Sequence, residues 1–320
     1  SVALQKWADT ETFYSCSNKP ENSFDNFTGQ PPRNTLSTGW AVDGFSALYE
    51  ATGAADYLAA AEEVADYLSL YQASFNPTYF ERPATAYVFG GMRSQNTDAE
   101  WLDARQTVDS EAFVRVGNHS GRQDLMERGV AALRASFALI TSSRNQAINF
   151  PVANLPASSD RPFTPEWLEP ENVDHEGIPQ LPSRSGPDWG EVGGLAAAAY
   201  ILQNFGGAYV DVARGLCVGI DGVFLNSCSF DAATKTVAFN SVNLLSDEKL
   251  PASPWPTSFS ITLKVVGLPE SLALAPLLSF TVVQNNQNTV GTFTAAELSD
   301  GVPLQISSSS ADHAHADLKK

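Results

Sequence analysis

Between residues 38 and 72 two helical periods follow one another with almost no chain between them. Trp40, Phe45 and Leu48 or Tyr49 place one apolar face on the first. Leu58, Val64, Tyr67, Leu68 and Tyr71 keep the same period on the second, over residues 55–74. Gly53 is suited to cap the first helix. So short a connection allows one arrangement, two antiparallel helices side by side. The pattern recurs. Residues 98–116 and 122–140 form a second pair broken at 118–121, and residues 188–205 with 208–216 a third, giving a weak internal repeat of hairpins.

After Cys217 the period changes to alternation. Residues 236–239, 258–266, 278–283 and 302–306 read as strands separated by turn clusters such as 285–288. The expected fold class is α+β and multidomain. An extended arm spans residues 1–37, helical hairpins 38–216, a small antiparallel β-sandwich 217–306, and a mobile tail 307–320. The long connections at 75–97 and 142–187 are of a length usually tied to function.

Composition narrows the partners. The chain of 320 residues carries 36 acidic against 19 basic side chains, a net charge of −17. That disfavours nucleic acid and anionic membrane as partners. No apolar run approaches the roughly 20 residues that span a bilayer. The three cysteines are Cys16, Cys217 and Cys228. The last two flank a strand–turn–strand pattern and could form a local disulfide, leaving Cys16 over. Asn26 and Asn118 open N-glycosylation triplets. With the Met-less start at Ser1, these features lead to an expectation of an extracellular, processed chain. No cofactor and no metal site are expected. His313 and His315 are read as solvent-facing tail residues.

Three helix starts combine a tryptophan with an acid: Trp40 with Asp43, Trp101 with Glu100, and Trp189 with Asp188. A ring beside carboxylates suits a sugar, whose apolar face stacks while its hydroxyls bind charged groups. Capping explains part of the pattern, since Asp188 and Glu191 form a capping-box pair, but capping does not require the rings. For hydrolysis the candidate carboxylates are Glu100, Asp103, Asp188 and Glu191. For β-elimination the candidate base is His175, with Asn172 and Arg184 on the uronate. Trp40, Asp43, Trp101, Arg105 and Trp189 complete the substrate-binding set.

The hairpin at 39–72, with Ala51-Thr52-Gly53 at its turn followed by Asp56-Tyr57-Leu58, resembles the helical pairs of six-hairpin (α/α toroid) carbohydrate-active proteins. Residues 98–106 and 188–194 are similar in style to their cleft-facing helix starts. The resemblance is architectural and covers residues 38–216. It implies a polysaccharide lyase or a glycoside hydrolase, with a C-terminal β-domain of the kind common in lyase members. Only five or six helices are legible against the six hairpins of a closed ring. Another copy or a second chain is therefore expected to complete it. The expected function is cleavage of an acidic poly- or oligosaccharide by an extracellular enzyme. The alternative is a non-catalytic structural or carbohydrate-binding subunit of an extracellular assembly.

Overall fold

The structure is a computed structural model that describes residues 35–74, 89–92, 102–103, 108–138, 172–173, 179–180, 189–246, 258–273, 278–285 and 288–307. The chain divides into two compact units, residues 1–199 and 200–320. It is an α+β protein.

In the first unit α1 (Thr35–Thr52) and α2 (Ala55–Leu68) form the expected hairpin. Gly53 adopts φ +66° and its N–H caps Tyr49 O at 2.7 Å. This left-handed geometry is open to glycine at little cost. A 3₁₀ turn, Ser69–Tyr71, follows. Beyond it the Gln72 amide donates to Gly90 O and Arg128 O at 3.0 and 2.8 Å.

The second hairpin joins α3 (Val108–Ser120) to α4 (Gln123–Ala138). α3 starts ten residues later than the periodicity at 98–116 suggests. Leu102–Asp103 is instead a short strand, β1, pairing antiparallel with β2 (Asn172–Val173), which pairs with β3 (Pro179–Gln180). Backbone pairing with a segment some seventy positions away overrides the local helical period, a partner no local pattern can reveal. The break expected at 118–121 shrinks to one turn, so the triplet at Asn118 lies within a helix, where the Ser120 hydroxyl donates to Val116 O at 2.8 Å.

α3 and α4 approach closely because each offers a glycine to the other. A Cβ on Gly117 would stand 2.7 Å from Met126 N, and one on Gly129 would stand 2.5 Å from Ser110 O. Phe113, Val116, Leu125 and Ala132 join Val42, Val64 and Leu68 in one core. At the turn, Arg122 bridges Asp66 of α2 and Asp124 of α4. α5 (Trp189–Phe205) crosses the division between the units.

The second unit departs from expectation at its start. Residues 208–216 do not return as a helix. Gly206, at φ +71°, ends α5, and Gly207 N donates to Thr262 O at 2.8 Å. The chain thus enters a sheet directly as β4 (Ala208–Asp211) and β5 (Leu216–Gly219). Next come β6 (Val223–Asp231), β7 (Thr236–Asn243), β8 (Ser258–Val266), α6 (Glu270–Ala273), β9 (Ser279–Gln284), β10 (Asn288–Thr294), α7 (Ala295–Asp300) and β11 (Val302–Ser307).

The expected antiparallel arrangement is corrected. One sheet has the order β11-β8-β4-β5 and the other β10-β9-β7-β6, with β4 parallel to β8 and β7 parallel to β9. β8 belongs to the other sheet from β7 and β9, so the path from β7 to β9 is a crossover, which parallel pairing requires. Val210, Leu263 and Leu304 from one sheet share a core with Val237, Phe239, Phe280 and Val282 from the other.

Replacing Gly129 with alanine is expected to destabilise the helical unit by about 1–3 kcal/mol through overpacking against the α3 backbone. Urea unfolding followed by far-UV circular dichroism measures it, and Gly44→Ala, where a Cβ meets nothing within 4 Å, serves as the control.

Candidate functional site

A polar seam runs between α1 and α3. Asp43 and Glu50 lie two turns apart on α1, with Ser46 between them. Glu111, Arg115 and His119 recur every fourth residue on α3, which puts them on one stripe. The hairpin core brings the two stripes together. Arg115 Nε donates to Glu50 Oε1 at 2.8 Å, and a second guanidinium nitrogen reaches Glu50 Oε2. The pair is bidentate, the strongest form of such contacts. His119 Nε2 sits 2.7 Å from Glu50 Oε1, and its ring meets Tyr49 edge-on. Arg115 NH1 lies 3.7 Å from Asp43 Oδ1.

The seam separates its carboxyl groups by environment. Burial, with the Glu111 charge adding to it, raises the Asp43 carboxyl to about 6, against the pull of Arg115. Asp43 Oδ1 is buried without a hydrogen-bond partner, while 33% of the side chain remains open. Burial also raises Glu111. Glu50 goes the opposite way, held down to about 2 chiefly by the Arg115 hydrogen bonds and then by His119. Carboxyl groups driven apart in this manner occur at enzyme sites and in structural ion-pair networks alike. Buried Ser46 Oγ also has no hydrogen-bond partner. Trp40, one turn before Asp43 on the same side of α1, is 44% exposed.

Of the residues singled out in the sequence, Trp40 and Asp43 stand together here. The structure places Trp40 in the second turn of α1, which begins at Thr35, and so not at the helix head. Asp103 and Asn172 are cross-strand partners in β1 and β2, a pairing no spacing indicated. Trp189 and Glu191 open α5. For these four the backbone alone is described. Glu100, Trp101, Arg105, His175, Arg184 and Asp188 lie outside the described residues, as do Cys16, Asn26, His313 and His315.

The reading of the sequence missed Glu50, Glu111, Arg115 and His119. The four-residue spacing of the last three was a visible signal, an acid, a base and a histidine on one helical stripe. What spacing does not show is that this stripe faces Asp43. Among the described residues no group of three or more His, Cys, Asp and Glu is arranged to hold a metal ion. No described helix is long and apolar enough to cross a membrane. Comparisons with protein-family models, curated proteins and solved structures give no match.

The shifts fix a pH dependence. Asp43 is raised in the fold above its ordinary value of 3.8, so the folded state holds the extra proton. Its contribution is full below about pH 4 and is lost as pH rises through about 6. Glu50, depressed to about 2, contributes above its ordinary 4.5 and loses that contribution as pH falls toward 2. Asp43→Asn is expected to reduce the decline between pH 4 and 6 to the part due to Glu111 and leave the Glu50 limb, as measured by thermal melting across pH.

Proposed function

We propose that this chain is an extracellular carbohydrate-active enzyme that hydrolyses a poly- or oligosaccharide at the α1–α3 seam. The observation that carries the proposal is the Asp43 carboxyl, raised to about 6, with one buried, unpartnered oxygen and a third of its side chain open. A carboxylic acid that keeps its proton up to about pH 6 can act as a general acid for a glycosidic oxygen in mildly acidic solution. Glu111 on α3 is the second carboxyl, also raised by burial, and acts on water or on the anomeric carbon in its ionised form. Arg115 and His119 hold Glu50 ionised beside them. Trp40 offers its ring to the sugar face.

Three carboxyl groups against one guanidinium favour an uncharged sugar at this point of the polymer, within a chain that elsewhere carries acidic units. The uronate set of His175, Asn172 and Arg184 belongs to the lyase reading. A finer architecture goes with the proposal. The two hairpins form part of an α/α toroid completed by another copy or a second chain, and the two sheets form a β-sandwich. Support comes from the short hairpin turns and from the shared core of the sheets.

The second reading is a non-catalytic, carbohydrate-binding or structural subunit. It is favoured by the engagement of both Arg115 and His119 by Glu50, which makes the seam a clamp between helices.

The test incubates the full chain with neutral and uronate-containing polymers. New reducing ends report hydrolysis, and the absorbance of unsaturated products reports elimination. Hydrolysis is expected, with kcat/KM falling above about pH 6 as Asp43 loses its proton. Asp43→Asn is expected to lower kcat at least ~10²-fold, and Trp40→Ala to raise KM. Unsaturated products that vanish in His175→Ala but survive Asp43→Asn would establish the lyase. Binding without turnover would leave the structural reading.

A further inference from the structure

β5 and β6 bring two thiols together. Cys217 is buried in β5, Cys228 half-buried in β6, and both are free. Simple alternation from Val223 and Leu225 would carry Ser227 and Ser229 to the core face and turn Cys228 outward. A register shift between Leu225 and Ser227 reverses the phase. One extra residue in a strand does this, and such bulges re-aim side chains. Cys228 and Phe230 consequently pack against the core that contains Cys217. Cys228 Sγ donates to Leu216 O at 3.5 Å, the carbonyl next to Cys217. The Cys217 side chain is close enough to act on the Cys228 thiol. β5 and β6 are edge strands of different sheets.

We propose that Cys217 and Cys228 form a reversible redox pair, oxidised by a low-molecular-weight disulfide to a cystine that ties the edges of the two sheets. This inference stands apart from the hydrolase proposal and uses none of its residues. Cys228 is the more accessible thiol, and the neighbouring Cys217 side chain holds it below the ordinary thiol range. The Cys228 thiolate attacks one sulfur of the small disulfide and expels a thiolate, giving a mixed disulfide. Cys217, after losing its proton, attacks the Cys228 sulfur and expels the second thiolate. Two protein thiols and one small disulfide become one cystine and two small thiols, which take up the two protons.

The full chain, in wild-type form and with Cys16→Ser, is equilibrated with oxidised and reduced glutathione. Remaining thiols are alkylated and the peptides mapped without reduction. The expected product is a linked pair of peptides carrying Cys217 and Cys228. Its yield rises with the oxidised fraction and reverses with dithiothreitol. Closing so short a loop is expected to raise the Tm of the sheet unit by roughly 5–10 °C, with the gain lost in Cys217→Ser and Cys228→Ser. Full alkylation of both thiols after oxidation would overturn the proposal. So would a disulfide that uses Cys16 in the wild-type chain, or a glutathione adduct on Cys228 that never resolves. The map of the full chain decides the matter even where a serine variant fails to fold.

Discussion

The close approach of α3 and α4 governs the helical unit. Gly117 lies against the backbone of α4 and Gly129 against that of α3, so neither position leaves room for a Cβ between the helices. This contact sets the rotation of α3. With Phe113 and Val116 turned into the core, the stripe of Glu111, Arg115 and His119 is directed along α1. A bulkier residue at either glycine would shift α3 by the width of a methyl group, and the bidentate Arg115–Glu50 geometry tolerates little shift.

The seam places charge beside a core of modest size. Arg115 satisfies Glu50 fully and Asp43 only across 3.7 Å, which leaves Asp43 to carry the penalty of burial. That imbalance sets the two carboxyl groups of α1 apart in protonation. A carboxyl well paired with a guanidinium stays ionised to low pH, whereas one desolvated and left short of donors holds its proton to higher pH. In the other unit, the β6 bulge has the same kind of consequence. A single extra residue decides whether a thiol faces solvent or faces Cys217.

Much of the local structure was legible from period and turn chemistry. The hairpin around Gly53 follows from its two apolar faces and a left-handed cap. Strand β8 coincides with the alternating run at 258–266. Local pattern failed where the partner was distant. Leu102–Asp103 pairs with Asn172–Val173 across a long connection. Ala208–Asp211 is drawn into a sheet by the bond from Gly207 to Thr262. At the candidate site Trp40 and Asp43 stood out as a ring beside an acid, but Asp43 owes its shifted carboxyl to burial and to α3.

What the sequence by itself determined is part of the inventory of elements: two of the three helical hairpins it indicated, closed by short turns, then a run of alternating strands, on a strongly acidic chain; the return helix of the third hairpin, at 208–216, is replaced by strands. The elements so determined depend on neighbours within a few residues, where periodicity and glycine conformations operate. Tertiary structure alone decided which stripe of α3 meets α1, that β7 and β9 run parallel with β8 in the other sheet, and that Cys228 meets Cys217. Each of these depends on the rotation, register or pairing of elements distant in the chain, which the packing of whole surfaces selects and no local window contains.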